Sequence, residues 1–281
     1  MFDRLSRSWK LVKASASVLA GDRMLLAFPL ASLAALVAVC ACFAAPAIGM
    51  GALEGLSRRG DIAPGLYALA FLFYFSQYFV IFFFNAALVG AAMMRLDGRS
   101  AGFGDGLRIA ASRVGAIAGY ALVAATVGVV LRVIQERVGF VGRIVVALLG
   151  AGWTIATFLV VPVLVARDVG PLDAVKESAA LLRKTWGENL IGRVGIAAAF
   201  GLVFSVALFL GAGLVVAAMA AGNVYLVAAA FAVALVAVGI AGLVQAALSG
   251  IYEAALYRYA TTGGETPGFD KADLQLAFGP K

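Results

Sequence analysis

Gln245, Ser249 and Glu253 stand four residues apart in an otherwise apolar stretch, so a helix would stack them on one face. An amide, a hydroxyl and a carboxylate in one column could hold a proton or a small cation, and ionisable groups at membrane depth are the usual pointer to a transport path. Tyr252 and Tyr257 lie close by, and Arg258 follows about one turn below. Asn85, in an earlier apolar run, could face the column if the two helices meet. On that same run Phe71, Tyr74, Tyr78 and Phe82 form a stripe that could line a groove for an acyl chain or apolar solute. The candidate intramembrane site is therefore Tyr78, Asn85, Gln245, Ser249 and Glu253. A plainer reading is preferred at this level: Glu253 ends a helix by pairing with Arg258 or a loop base, and the aromatics pack or face lipid.

The chain has no histidine, which removes haem ligation by paired His, His-containing zinc sites, Ser-His-Asp triads and His proton shuttles. It contains no P-loop, no G-x-S-x-G and no paired-cysteine metal motif. Cys40 and Cys42, two residues apart on one apolar run, point to different sides and read as small buried or lipid-facing residues. The expectation is a protein that is not an enzyme, with no catalytic residues, no metal and no cofactor.

The elements that would carry the polar column follow from hydropathy. Of 281 residues, 63% are hydrophobic and 13% charged, and the mean hydropathy is +1.01, the profile of an integral membrane protein. A hydrocarbon core of roughly 30 Å takes about 20 apolar helical residues per crossing. Windows free of Asp, Glu, Lys and Arg predict an all-α, polytopic helical bundle with about six crossings, near residues 24–53, 64–94, 114–135, 143–166, 192–219 and 225–258. The last two share one uncharged run, divided by a turn at Gly222 and Asn223. Pro162 is expected to kink the fourth crossing. Residues 1–264 make a single transmembrane domain, and 265–281 a short cytoplasmic tail.

With the N-terminus inside, 17 of the Lys and Arg residues fall on the cytoplasmic side and 5 outside, which puts both termini in the cytoplasm. The net charge of +7 then reflects topology and attraction to anionic lipid, and nucleic acid is not expected as a partner. No cleavable signal peptide is expected, because the first apolar run starts only at Met24 and is about twice a typical signal core.

Three basic segments precede crossings. In LSRSWKLVKAS, Leu5, Trp9 and Val12 share one side of a helix, and Arg4, Arg7, Lys10 and Lys13 another. In PLDAVKESAALLRKTWGENL, Val175, Ala179, Leu182 and Trp186 share a face, with Lys176, Arg183 and Lys184 largely off it. DGLRIAASRVG is a fainter third copy. These read as cytoplasmic interfacial helices whose bases and tryptophans meet anionic headgroups, and their recurrence suggests a parallel three-fold internal repeat.

RLSRSWKLVKAS, the RLDG turn followed by DGLR, AVKESAALLRKTWGENLIG and SGIYEAALYRYATTG together resemble a family of six-pass prokaryotic integral membrane proteins classed as a domain of unknown function. The resemblance covers nearly the whole chain. More distantly, the interfacial-helix-then-crossing pattern is similar to the membrane domain of some bacterial glycerophosphodiester phosphodiesterases, although no phosphodiesterase catalytic domain is present. What the resemblance implies is a fold and a prokaryotic cytoplasmic (inner) membrane location, with no catalytic residues to carry over. The leading expectation is a non-enzymatic protein that organises anionic membrane lipid through its basic helices. The alternatives are a secondary transporter or permease for an apolar or amphipathic solute using the polar column, and a membrane anchor for an unnamed protein partner.

Overall fold

The computed structural model describes residues 15–49, 64–186 and 191–262, and these are helical almost throughout, with no strand among them. After a helical run over 15–21 and a 3-10 turn at Arg23–Leu26 come α1 (Ala27–Gly49), α2 (Pro64–Leu96), α3 (Phe103–Ser112), α4 (Val114–Arg137), α5 (Phe140–Ala156), α6 (Val160–Ala166), α7 (Pro171–Trp186), α8 (Ile191–Ala220) and α9 (Val224–Thr262). Continuous apolar sequence can sit in hydrocarbon only if every backbone group is paired locally, which a helix achieves. Five stretches among the described residues are long and apolar enough to cross a membrane: Arg23–Gly49, Gly65–Leu96, Val114–Arg137, Phe140–Ala166 and Val224–Thr262. Each overlaps an expected crossing. The protein is thus all-helical and has the apolar helices of a membrane protein.

Two glycines end helices where the sequence places turns. Gly98 (φ +74°) closes α2, with the Arg99 N–H reaching back to Met94 O at 3.0 Å, and Gly222 (φ +67°) separates α8 from α9. Asn223 Oδ1 accepts the Tyr225 N–H at 2.9 Å and so caps α9.

Ion pairs gather the helix ends on one side of the bundle. Arg95 at the end of α2 meets Asp22, just before α1, at 2.6 Å. Arg258 near the end of α9 pairs with Asp97, and Arg113 at the start of α4 pairs with Asp168 after α6. Arg167 meets Glu177 of α7 at 2.8 Å. The buried core lies against this charged end: Leu25 and Phe28, Ala86–Ala92, Ile117 and Tyr120, Leu159–Leu164, and Ala247–Tyr257.

Small residues permit that density. A Cβ on Gly106 of α3 would sit 2.5 Å from the Phe28 ring and 2.6 Å from Ala87 O. A Cβ on Gly119 of α4 would lie 2.9 Å from Pro171 Cγ at the start of α7, whereas one on Gly115 would meet nothing within 4 Å. The far half of the bundle is different. There α1, α2, α5, α8 and the first half of α9 expose Val37, Tyr67, Phe140, Phe209 and Tyr225, a surface suited to hydrocarbon and unsuited to water.

The fourth expected crossing is broken. Helix stops at Ala156 and resumes at Val160, with turn at Thr157–Leu159. Pro162 explains the place, because its ring collides with the carbonyl four residues back and it has no N–H to offer Phe158. The Leu159 N–H, buried at the break, donates to Ser178 Oγ of α7 at 3.0 Å.

Candidate functional site

The break faces an open-sided cavity of about 290 Å³ lined by five segments. Helix α2 contributes Tyr78, Phe82 and Asn85, α4 contributes Tyr120, Ala124 and Gly128, α5 and the break contribute Trp153, Thr154, Thr157 and Phe158, α6 contributes Val161, and α9 contributes Glu253. Irregular backbone at membrane depth is tolerated where it is covered by protein or lines a cavity. Both conditions hold at Thr157–Leu159.

Glu253 is the one carboxylate in the wall, and Asn85 Nδ2 donates to its Oε2 at 3.4 Å, the loose end of the hydrogen-bonding range. What brings α2 and α9 together here is Gly250. A Cβ on it would lie 2.5 Å from Leu88 Cδ2 and 3.3 Å from Asn85 Oδ1, so any side chain would drive the amide away from Glu253. Arg258, about 7.5 Å further along α9 at 1.5 Å per residue, is held by Asp97. Arg258 is thus engaged by Asp97, and Glu253 lines the cavity.

Aromatic rings make the opposite wall continuous. Tyr78 stacks on Phe82 at 5.9 Å between centroids, and Phe82 packs on Tyr120 at 4.6 Å. Tyr120 and Thr157 line the same space, and the Thr157 hydroxyl donates to Trp153 O at 2.8 Å. Thr154 likewise donates to Gly150 O at 2.8 Å. These hydroxyls satisfy the helix backbone while presenting oxygen lone pairs to the space.

A second space of about 460 Å³ runs between α2 and α4 toward the far end, lined by Tyr67, Phe71, Tyr74, Gly128 and, at its outer limit, the Arg132–Glu136 ion pair at 3.1 Å. Tyr78 and Gly128 line both spaces, so the two adjoin. The aromatic stripe read from the sequence therefore lies along one path, with Phe71, Tyr74 and Tyr78 in the groove and Tyr78 and Phe82 in the cavity. Gly128 leaves room for the Tyr78 hydroxyl, which stands 3.3 Å from where its Cβ would be.

Of the five residues proposed for the polar site, the structure brings Tyr78, Asn85 and Glu253 together. Gln245 and Ser249, both half-buried and respectively two turns and one turn before Glu253, do not line the cavity. Tyr120, Trp153, Thr154 and Thr157 were not foreseen. Their only signal in the sequence is indirect: two hydroxyls and a tryptophan just ahead of Pro162, on the helix that the proline interrupts.

The basic helices stand as follows. Arg4, Arg7, Trp9, Lys10 and Lys13 lie outside the described residues, as do the side chains of Lys184 and Trp186 and the tail 265–281. In α7, Ala174, Ser178 and Leu182 are buried, with Val175 and Ala179 at the edge of that face, so this helix is docked into the body along its apolar side. Lys176 pairs with Asp173 at 3.0 Å, and Arg183 is exposed. Two Cys, Cys40 and Cys42, are free, and Gln77 Nε2 donates to Cys40 Sγ at 3.1 Å. Among the described residues no cluster of three His, Cys, Asp or Glu could hold a metal ion.

Residues 65–268 match the model of a family described as of unknown function, DUF6159, and every residue of the cavity wall falls inside that stretch. No curated protein matches the chain.

Proposed function

We propose, since the chain belongs to the family of unknown function DUF6159, that this member is a non-enzymatic six-crossing protein of the prokaryotic cytoplasmic membrane that takes an amphipathic solute into the cavity at Glu253. The sixth crossing is α8, whose 30 residues span about 45 Å at 1.5 Å per residue. The charged end faces the cytoplasm, in keeping with the 17 to 5 division of Lys and Arg. The helical run 15–21, α3 and α7 each precede a pair of crossings, which suits a parallel three-fold repeat of helix, crossing and return.

One observation carries the solute reading: a helix interrupted at Thr157–Leu159 beside a cavity that holds an intramembrane carboxylate. Interrupted helices at a binding site are a recurrent transporter feature. A second reading, organisation of anionic lipid at the cytoplasmic face, draws on exposed Arg183 and on the amphipathic α7. The described bases at that face weaken it, because Arg95, Arg108, Arg113, Arg167, Lys176 and Arg258 each pair with a carboxylate of the chain itself.

Native mass spectrometry of the protein extracted from its own membrane separates the two. A non-lipid adduct that is retained by the wild type and lost from Glu253→Gln supports the solute reading. Phospholipid as the sole adduct, unaffected by Glu253→Gln and reduced when Arg183 and Lys184 are replaced by Gln, replaces it with the lipid reading.

A further inference from the structure

Independently of the solute reading, we infer that the groove between α2 and α4 holds one acyl chain of a phospholipid whose headgroup carries a primary ammonium beside its phosphate, the phosphatidylethanolamine class. That headgroup sits over the Arg132–Glu136 pair.

The groove is charged at one end only. Helix α2 starts at the far end and α4 finishes there, so Tyr67 lies at the same mouth as Arg132 and Glu136. Inward from the mouth come Phe71 and Tyr74 on one side and Val133 and Val129 on the other, up to Tyr78. Charge at the mouth and apolar walls along the depth match a molecule with a charged head and an apolar tail. A tyrosine at such a mouth is a residue type enriched at headgroup depth.

Length and shape identify the tail. From Tyr67 to Tyr78 along α2 is about 16 Å at 1.5 Å per residue. One leaflet makes up half of a hydrocarbon core of roughly 30 Å, so its depth is about 15 Å. A chain that starts at the mouth therefore reaches Tyr78 at the depth where a lipid tail ends. Tyr67, Tyr74, Val129 and Val133 are exposed, so the groove is open along its side and a tail enters it laterally. In hydrocarbon a tail gains nothing from apolarity alone, and retention comes from close contact. Ala125 and Gly128 set the α4 wall back opposite the rings of Phe71 and Tyr74, which gives the space of about 460 Å³ its depth.

The mouth identifies the head. Arg132 Nε donates to Glu136 Oε1 at 3.1 Å, a bond that takes one of five guanidinium N–H groups and one of two carboxylate oxygens. Both side chains are exposed. A headgroup with a phosphate and an ammonium side by side offers this pair the complementary order of charge, phosphate to guanidinium and ammonium to carboxylate. An anionic headgroup satisfies Arg132 and meets Glu136 unfavourably. A choline headgroup has no N–H to donate to that carboxylate.

The test uses the full chain in nanodiscs of phosphatidylcholine with a trace of phosphatidylethanolamine that carries a diazirine midway along one acyl chain. After irradiation the labelled peptides are identified by mass spectrometry. Label concentrated around Phe71, Tyr74 and Val129, and displaced by added phosphatidylethanolamine about two- to fivefold better than by the same fraction of phosphatidylglycerol, supports the inference. Glu136→Gln should abolish that preference, and Arg132→Gln should lower the labelling itself. Val129→Trp, which fills the groove, should remove label from Phe71 and Tyr74. A control joins Glu54→Gln, Arg58→Gln, Arg59→Gln and Asp61→Asn, neutralising the charges of the segment before α2 that lies outside the described residues, and should keep the wild-type preference. Label spread over the exposed faces of α5 and α8 as strongly as over the groove overturns the site. Equal displacement by the two lipids, or a preference that survives Glu136→Gln and is lost in the control, overturns the headgroup assignment. The readout does not involve Glu253, so the solute reading stands or falls separately. Thermal midpoints matched to wild type show that a loss of labelling is not misfolding.

Discussion

Toward the charged end, Ala87, Val89 and Ala92 are shut away from everything but protein, whereas in the far half Phe140, Phe209 and Tyr225 are 80%, 81% and 82% exposed. Both halves are made of the same apolar residue types, and α9 belongs to both, exposed along its first half and buried over Ala247–Tyr257. What separates them is the spacing of small residues and the placing of charges. In hydrocarbon a leucine gains nothing by leaving lipid for protein, so packing and polar pairs decide where helices close on one another. The charged half has both devices and forms the core. In the far half close approach is sparser, as where a Cβ on Gly211 of α8 would lie 2.9 Å from Ala234 Cβ of α9, and most of the helix surface is left exposed.

The sharpest way to break this contrast is to add one methyl group in each half. Gly106→Ala puts a Cβ 2.5 Å from the Phe28 ring and 2.6 Å from a backbone carbonyl that cannot rotate aside. It should destabilise by about 3 kcal/mol, the upper end of ordinary overpacking. Gly213→Ala in α8, with nothing within 4 Å of the new atom, should cost nothing, and Gly104→Ala, two residues before Gly106 in the same helix and equally open, controls for helix propensity. Thermal midpoints in detergent read all three. Equal midpoints for Gly106→Ala and Gly213→Ala would mean that the halves do not differ in packing.

A middle-sized effect is expected at the broken helix. Ser178→Ala removes the acceptor from the Leu159 N–H, leaving a buried donor unpaired at a cost of about 1–2 kcal/mol. Thr126→Ala, whose hydroxyl merely adds a second bond to Leu122 O within an unbroken helix, should change stability little. Hydrogen exchange at Leu159 should rise in the first variant alone. If Ser178→Ala leaves that amide protected, the break is held by something other than α7.

How far the sequence carries the reader differs between these same halves. Crossings, the Gly222–Asn223 turn and the RLDG turn are legible because charge-free length and turn chemistry are local properties. The column Gln245, Ser249 and Glu253 was legible as a face but only its last member reaches the cavity, because which side of a helix meets a neighbour depends on Gly250 and Leu88 meeting across chain positions far apart. Trp153 and Tyr120 carry no mark that sets them apart from lipid-facing aromatics: in an apolar solvent, hydropathy is silent about inside and outside. Pro162 marked a disturbance correctly, yet the side chains that the break exposes lie up to nine residues ahead of it, and Ser178, which satisfies it, belongs to another helix.

The smallest effect concerns the ion pairs, and it asks whether charge or packing holds the core together. Asp97 meets both Arg258 and Arg99, the latter at 3.1 Å, and its side chain is 45% exposed. Solvent screening at that exposure limits its contribution, so Asp97→Asn should lower stability by about 0.5–1 kcal/mol. The far-end pair Arg132–Glu136, more exposed and within one helix, should contribute about 0.3–0.5 kcal/mol, removed by Glu136→Gln. Both losses should fade in high salt, the Asp97 one less completely because Arg258 is the more covered partner. Destabilisation by Asp97→Asn as large as that by Gly106→Ala, and indifferent to salt, would make the ion pairs the principal tie among helix ends. A small, salt-sensitive loss would leave that role to the glycine contacts and give the charges a different one, that of fixing which ends of the helices share a side of the membrane.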